Sequence, residues 1–295
     1  MTLKNEAMLI RSLLIFPGHI DRFFRKAIKS NADVIAIDLE DAVPVDQKDE
    51  ARESIQFKLS NLDSDIKTFV RVNGVRTGRI ERDIELSIHK NLTGFIIPMV
   101  ETEEDIVFVD KIITKFEALN GLPVNKICLM PLIEQSSAVL NALSIAKASK
   151  RNIGLMFGHE DYLVNIGAPQ TLDQKNILFA RSAVVAAARA IKGIPIDTPY
   201  IDIDNIKGCK DHISYGKSLG FSGTLTIHPS QIDIVNTGYS PTDEEITRAT
   251  NIVKEMEVLR KNGKSISYMN GSLLAPPMLK YAKQILNLRN RVLSK

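Results

Sequence analysis

The sequence predicts a single closed (β/α)₈ TIM barrel with a C-terminal helical extension. Short apolar runs, about eight of them, alternate with amphipathic segments, and 295 residues suit one large α/β domain. No Pro/Ser-rich linker interrupts this order, so we expect the barrel over residues 1–240 and the extension over residues 241–295. A doubly wound open sheet is the alternative, although neither a GxGxxG motif nor a Walker loop is present.

The apolar runs are rich in Val, Ile, Leu and Phe, which is typical of parallel strands that are buried on both faces. Each run is followed by polar residues and then by a helical pattern. The predicted strands are residues 12–18, 34–40, 68–73, 94–100, 127–134, 153–160, a weaker stretch near 195–203, and 223–229.

The segments between the runs predict helices. Apolar residues recur at every fourth position in residues 48–60 and 79–89, and residues 173–191 are rich in Ala and Leu. Residues 242–262 begin with Thr-Asp-Glu-Glu, which suits the N-terminus of a helix. Gly and Pro residues punctuate the extension, so we expect two helices joined by a loop, placed to pack on a neighbouring subunit.

The composition excludes several classes of function. The net charge is +3, there is no Trp, and no stripe of basic and aromatic residues appears, so nucleic-acid binding is not expected. No apolar stretch approaches a membrane span, and the N-terminus lacks the pattern of a signal peptide. Cys128 and Cys209 match no metal or redox spacing. We expect a cytoplasmic enzyme without a membrane or nucleic-acid partner.

Charged residues follow several of the apolar runs. In a barrel the C-terminal ends of the strands meet at one mouth, where active sites lie. A charge in an apolar run is costly unless it is paired or binds a metal, so a structural salt-bridge network at the mouth is the alternative. The residues are Asp38, Glu40 and Asp41 after the second run, Arg71 and Asn73 in the third, Glu134 after the fifth, His159, Glu160 and Asp161 after the sixth, and His228 after the eighth.

Two carboxylates on neighbouring strands are suited to Mg²⁺, which takes a few oxygen ligands and keeps waters for substrate to replace. Glu134 and Asp161 fit this role, whereas the His and Cys pattern of zinc is absent. Arg71 at the same mouth would bind a carboxylate through its planar fork. The predicted chemistry is cleavage or formation of a carbon–carbon bond next to a carbonyl of an oxo- or hydroxy-acid. His159 and His228 are candidate general bases, with a hydrogen-bonded structural role as the alternative.

Seven segments, in order along nearly the whole chain, resemble the citrate lyase β-subunit-like proteins of the HpcH/HpaI aldolase superfamily. This resemblance implies a Mg²⁺-dependent barrel, with Mn²⁺ as a possible substitute, that is often a homotrimer. It implies cleavage or formation of citryl-, malyl- or citramalyl-thioesters, usually of coenzyme A and in some relatives of a carrier protein. The segments are RSLLIFPG at 11–18, AIDLEDAV at 36–43, FVRVNG at 69–74, PLIEQ at 131–135, FGHEDY at 157–162, FARSAVVAAARA at 179–190 and TIHPSQI at 226–232.

The resemblance also implies roles for individual residues. The metal ligands of the family fall on Glu134 and Asp161, with Glu134 also near the substrate, and its substrate-binding Arg falls on Arg71. Glu40 and Asp41 would lie near the substrate and the water shell of the metal. The thioester or phosphate contacts of relatives fall in the opening segment, with Arg11, Arg22 and Lys26 as candidates.

One position departs from the family pattern. Relatives that act on malyl- or citramalyl-CoA carry an Asp in a C-terminal segment that serves proton transfer in a neighbouring subunit, and here that position is Ala275. No Asp or Glu lies between Gly263 and Lys280, and Tyr268 and Asn270 are the nearby polar residues. An aldolase that acts on a small oxo-acid without a thioester, or a non-catalytic binding subunit, therefore remains an alternative.

Overall fold

The computed structural model describes residues 8–63, 65–171, 174–263, 265–269 and 272–295. Within these residues, eight parallel strands pair in sequence order, and β1 also pairs with β8, which closes the barrel. The predicted (β/α)₈ fold is thus confirmed. The strands are β1 Ser12–Pro17, β2 Val34–Asp38, β3 Thr68–Arg71, β4 Gly94–Ile97, β5 Cys128–Ile133, β6 Gly154–Phe157, β7 Ile194–Asp197 and β8 Gly223–Thr226.

Helices follow the strands and lie between them in the chain. Residues 48–60, predicted as a helix, form one over that range, and residues 79–89 form a slightly shorter one. The barrel helices are α1 Asp21–Ala27, α2 Lys48–Ser60, α3 Ile80–Ser87, α4 Glu103–Leu119, α5 Ser136–Leu140, α6 Ala142–Lys147, α7 His159–Ile166, α8 Leu178–Ala190, α9 Ile206–Leu219 and α10 Ile232–Tyr239.

The barrel interior is a packed core. Leu13, Ala36, Phe69, Met130 and Ile196, which come from five different strands, belong to one cluster of buried side chains. Apolar side chains thus fill the barrel below the mouth, as expected for this fold. The charged residues that follow the strands are therefore concentrated where the chain leaves this core.

The predicted strands were too long at their C-terminal ends. The sixth was predicted to reach Glu160, but β6 ends at Phe157, and His159 to Asp161 form the first turn of α7. The seventh, placed near 195–203, is β7 at Ile194–Asp197. Polar residues at the mouth leave the hydrogen-bonded ladder and enter loops or helices, which apolar content alone does not reveal.

The remaining helix predictions fell close to the observed bounds. Within predicted residues 173–191, Lys175–Ile177 form a 3₁₀ turn that continues into α8, whereas Asp173 lies outside the described residues. The Thr-Asp-Glu-Glu segment does begin a helix, because Thr242 and Glu245 form a reciprocal capping box.

Contacts between Cα atoms divide the chain into two compact units, Met1–Asn236 and Thr237–Lys295. The second unit contains α11 Asp243–Lys261 and α12 Pro276–Leu293, which pack on each other through a buried apolar cluster that includes Ile252 and Leu274. Between these two helices lies an antiparallel pair, β9 Ser267–Met269 and β10 Ser272–Leu274, where only a loop was predicted. The predicted boundary at 240/241 and the packing on a neighbouring subunit stay predictions.

No helix in the part of the chain that the structure describes combines the length and the hydropathy needed to cross a lipid bilayer.

Candidate active site

Arg71 ends β3 beside Asp38, which ends β2 and is its direct partner in the strand register. The Arg71 Nε and Nη2 atoms donate to the two Asp38 carboxylate oxygens at 2.6 and 2.7 Å. Asp38 is fully buried, so this two-point pair holds the guanidinium in one orientation. One edge of the Arg71 guanidinium thus forms a structural salt bridge, as the alternative predicted. The substrate-binding role predicted for Arg71 would use the other edge.

The other edge of Arg71 faces two more carboxylates. Nη1 lies 3.1 Å from Glu40 Oε2 and 3.7 Å from Asp41 Oδ2. Glu40 Oε2 is buried and accepts no well-oriented hydrogen bond. Burial raises the pKa of Glu40 to about 8, against the lowering effect of Arg71, and Asp41 and Glu134 raise it further.

Asp38 and Lys48 hold the loop that carries Glu40 through hydrogen bonds to its backbone. Asp38 accepts hydrogen bonds from the backbone N–H groups of Glu40 and Ala42 at 3.0 and 2.9 Å. The buried Lys48 ammonium donates to the carbonyl oxygens of Leu39 and Glu40 at 2.9 and 2.8 Å. The acidic loop is therefore fixed through its backbone, and its side chains are left for the mouth.

Glu134 follows β5 and is buried. Its Oε1 accepts the backbone N–H of Met99 at 2.6 Å, and Met99 has a φ of 54°, which is uncommon for a residue with a side chain. A Cβ on Gly158 would lie 2.7 Å from Glu134 Oε2, so the space that this oxygen occupies exists only because residue 158 is glycine. Burial raises the pKa of Glu134 to about 8, and Asp161 raises it further.

Asp161 is exposed in the first turn of α7 and lies at the same mouth. The surrounding protein partly desolvates its carboxyl, and this desolvation and the repulsion from Asp41 raise the pKa of Asp161, whereas Arg71 lowers it. The negative charges of Asp161 and Asp41 in turn raise the pKa of Glu134. The structure therefore brings together Arg71, Glu40, Asp41, Glu134 and Asp161, which the sequence had placed at the ends of four strands.

The donor set suits a hard divalent cation. It consists of carboxylate oxygens whose burial and mutual repulsion disfavour the ionised forms, and a cation would relieve both. Glu134 Oε1 is taken by Met99, so Oε2 is the oxygen suited to a metal. Among the described residues, no group of three His, Cys, Asp or Glu side chains is arranged to hold a metal. Glu134 and Asp161 would hold Mg²⁺ together with water and substrate oxygens, so these residues fit the ion.

Both histidines proposed as general bases make hydrogen bonds through Nδ1. His159 is buried, its Nδ1 contacts Thr198 Oγ1, and its Nε2 lies 2.8 Å from Glu160 Oε1. His228 is exposed, and its Nδ1 accepts the N–H of Ser230 at 3.2 Å, which caps a 3₁₀ turn. These contacts agree with the hydrogen-bonded structural role that was the alternative, and the role of general base stays a prediction.

The position of Arg11 argues against the thioester or phosphate contacts predicted for it. Arg11 precedes β1 and so lies at the N-terminal end of the barrel, where its Nε and Nη2 pair with buried Asp33 at 2.8 and 2.9 Å. Strand direction separates this end from the mouth. Arg22 and Lys26 are exposed on α1, which follows the C-terminal end of β1, so they are on the side of the barrel that the prediction requires.

In the C-terminal unit, Ala275 is the N-cap residue of α12 and Tyr268 is exposed on β9. Asn270 lies outside the described residues. The position that carries an acid in relatives thus starts a helix here, with no side chain that could transfer a proton.

Sequence reasoning missed three residues that shape the site. Asp38 was noted at a strand end but not as the partner of Arg71, although parallel neighbours in the register would have suggested it. Met99 donates its backbone N–H to Glu134, and Gly158 leaves room for Glu134 because it has no side chain. Neither feature can be recognised from the residue types in the sequence.

Residues 11–229 match the family described as HpcH/HpaI aldolase/citrate lyase. The chain is 32% identical to citrate lyase subunit beta of Leuconostoc mesenteroides subsp. cremoris, over 97% of this chain and 95% of that protein. It is 30% identical to the mitochondrial citramalyl-CoA lyase of Homo sapiens, over 97% of this chain and 87% of that protein. The crystal structure of CitE from Mycobacterium tuberculosis in complex with magnesium, acetoacetate and coenzyme A superposes with a TM-score of 0.81 at 25% identity, covering 97% of this chain and 99% of that one. The chain therefore belongs to the HpcH/HpaI aldolase/citrate lyase family.

Proposed function

We propose that this protein is a Mg²⁺-dependent carbon–carbon lyase that cleaves or forms a 3-hydroxy-acyl thioester such as citramalyl-, malyl- or citryl-CoA. The observation that carries the proposal is the pairing of a fixed cation with a carboxylate cluster at the barrel mouth. Asp38 orients Arg71, while Glu134 and Asp161 provide oxygen ligands beside it. Mn²⁺ is expected to replace Mg²⁺.

In this proposal the edge of Arg71 that faces Glu40 and Asp41 binds the carboxylate of the oxo-acid half of the substrate. Two N–H groups along one edge match two carboxylate oxygens, and a half-buried site strengthens the contact. The substrate carboxylate would replace Glu40 and Asp41 as the partner of Arg71 Nη1. These two residues therefore mark where the substrate lies. Because Asp38 already fixes the guanidinium, little side-chain entropy is lost on binding.

Cleavage then follows the retro-aldol or retro-Claisen direction. The hydroxyl of the acyl group loses its proton, the adjacent carbon–carbon bond breaks, and its electron pair moves to the α-carbon of the thioester, which then takes up a proton. The products are an oxo-acid and a shorter acyl thioester. When bound, Mg²⁺ supplies electrostatic stabilisation of the negative charge that develops during the reaction. Glu134 and Asp161 hold that ion, and the Met99 N–H keeps the Glu134 carboxylate in place.

The names of relatives support the substrate class. Citrate lyase subunit beta, citramalyl-CoA lyase and L-malyl-CoA/beta-methylmalyl-CoA lyase of Rhodobacter capsulatus are all related over most of the chain. The mycobacterial CitE complex combines magnesium, an oxo-acid and coenzyme A. We therefore propose that the substrate of this protein is a thioester of coenzyme A or of a carrier protein. Arg22 and Lys26 are the candidate contacts of that thioester. We further propose a cytoplasmic homo-oligomer, a trimer by resemblance, in which the extension packs on a neighbouring subunit.

Ala275 favours a second candidate. Loss of a positioned acid or base typically costs about 10²–10⁴-fold in rate. An aldolase that acts on a small oxo-acid without a thioester, or a binding subunit without turnover, would tolerate this loss.

The test is a cleavage assay with citramalyl-CoA, malyl-CoA and citryl-CoA in Mg²⁺, following release of the oxo-acid. We expect turnover that disappears with a chelator and in Asp161→Asn and Glu134→Gln. Glu81→Gln is the matched control, since this exposed carboxylate pairs with Lys115 at 3.0 Å on the barrel surface. Unchanged rates in the two site variants would refute the proposal. No turnover of any thioester, with Mn²⁺ still bound, would favour the second candidate.

A further inference from the structure

Helix α7 carries Asp161 at its third position, yet it lacks an N-terminal cap of its own. The N-cap residue is Gly158, which has no side chain to accept the first N–H groups. A capping Ser, Thr, Asp or Asn would place its Cβ 2.7 Å from Glu134 Oε2 and 3.1 Å from Glu134 Cβ. The position of Glu134 therefore excludes the residues that ordinarily cap a helix here.

The missing cap comes from the neighbouring strand. Thr198 directly follows β7, and its Oγ1 accepts the backbone N–H of His159, the first residue of α7, at 3.2 Å. The same hydroxyl contacts His159 Nδ1. In one arrangement the hydroxyl donates to Nδ1, and the Nε2–H of neutral His159 donates to Glu160 Oε1 at 2.8 Å. The Gln170 amide then donates to Glu160 Oε1 at 3.4 Å. Thr198 thus engages both the backbone and the side chain of the first residue of α7.

Thr198 is itself held rigidly. Its N–H donates to Asp197 Oδ1 at 2.9 Å, and its carbonyl oxygen accepts Thr224 Oγ1 at 2.7 Å. The Nε2 atom of His212 lies 3.0 Å from the same carbonyl oxygen. Asp197 pairs with Arg181 in a fully buried ion pair. The hydroxyl is therefore presented to α7 from the closed barrel rather than from a free loop.

We propose that Thr198 is a positioning residue for Asp161, because it caps α7 from β7 in place of the side chain that Gly158 cannot have. The inference rests on the proposed function of Asp161 as a metal ligand. The helix has only eight residues, so its first turn depends on its cap. The carboxylate of Asp161 lies in that turn, and its direction follows the backbone there.

The test compares Thr198→Val, which keeps the shape and removes the hydroxyl, with Thr198→Ser, which keeps the hydroxyl. Mn²⁺ affinity is measured by electron paramagnetic resonance, and backbone amide exchange is measured across residues 159–162. Groups that orient metal ligands typically contribute about 10–100-fold to affinity, so we expect a loss of that size in Thr198→Val and recovery in Thr198→Ser. Exchange in the first turn of α7 should accelerate in Thr198→Val only.

Thr68→Val is the matched control. Thr68 is also fully buried, and its hydroxyl donates to the Ile66 carbonyl at 3.2 Å, but it begins β3 at the far end of the barrel. A general effect of removing a buried hydroxyl would weaken Mn²⁺ binding equally in both variants and would overturn the proposal. If Thr198→Val does not fold, Thr198→Ala makes the same comparison without the added methyl group.

The failures of the two proposals are distinguishable. If the unmodified protein cleaves the thioesters and Thr198→Val binds Mn²⁺ normally, the positioning role is refuted and the lyase stands. If the unmodified protein binds Mn²⁺ and Thr198→Val does not, while no thioester is cleaved, the positioning role stands and the lyase fails. Absence of Mn²⁺ binding in the unmodified protein would overturn the positioning role.

Discussion

Replacement of Gly158 by Ala should impair the site and leave the protein folded. Gly158 has φ −113° and ψ 110°, which any residue adopts, so the new methyl group introduces no backbone strain. The atom it meets first is Glu134 Oε2 at 2.7 Å, the end of a flexible side chain. To reach an ordinary contact of 3.4 Å, that oxygen must move by about 0.7 Å. Its partner oxygen Oε1 must then strain or lose the 2.6 Å bond from the Met99 N–H.

The expected losses of stability and of activity have different causes. Overpacking costs about 1–3 kcal/mol, and a Gly to Ala change at a permitted conformation returns about 0.4–1 kcal/mol, so the free energy of unfolding should fall by at most about 2.6 kcal/mol. A misplacement near 1 Å at a reacting centre costs about 10²-fold. We expect kcat/KM to fall by about 10–100-fold, with weaker Mn²⁺ binding.

Gly167→Ala at the other end of α7 is the matched control. Gly167 has φ +66°, and no atom lies within 4 Å of an added Cβ. This variant should lose roughly 1–2 kcal/mol of stability through the left-handed conformation and keep its activity. Thermal unfolding, Mn²⁺ titration and the cleavage assay on both variants test the reasoning. Full activity in Gly158→Ala, or equal losses of activity in the two variants, would refute it.

Three further predictions follow from the same structure. Arg71→Lys should lower kcat/KM by about 10²-fold and remove one charged hydrogen bond to buried Asp38, at about 1.5–3 kcal/mol in chemical denaturation; unchanged kcat/KM and stability would contradict this. The pKa of Glu40 and of Glu134 rises from 4.5 to about 8 on folding, so between these values the folded metal-free protein binds more protons than the unfolded chain. Its free energy of unfolding should therefore fall as pH rises through this window, while Mn²⁺ affinity rises; denaturation and calorimetry at pH 6 and 8 check both signs. Arg11→Met should cost about 3–5 kcal/mol by removing the charge partner of the buried Asp33 carboxylate, yet should not change the KM for a thioester, whereas a raised KM in a stably folded variant would restore its cofactor role.

The strand order and the end of the barrel that carries the site could be predicted because they depend on local composition. Buried parallel strands need apolar residues at nearly every position, and the chain shows this pattern eight times. Residues such as Glu134 that interrupt or follow these runs then lie at one mouth. The same reasoning misplaced Arg11, since it takes its partner from the other end of the barrel, and pairing across strands is not visible in residue type.

The sequence by itself determined the barrel, the helices between its strands and the acidic character of its mouth, because hydrophobic periodicity and strand direction are local properties. Only the tertiary structure decided which edge of Arg71 is left for a substrate, which oxygen of Glu134 is left for a metal, and what caps the helix that carries Asp161. These outcomes depend on a backbone N–H, a missing Cβ and a hydroxyl from the next strand. Such contributions arise when distant segments meet at fixed distances, so they appear only once the barrel is closed.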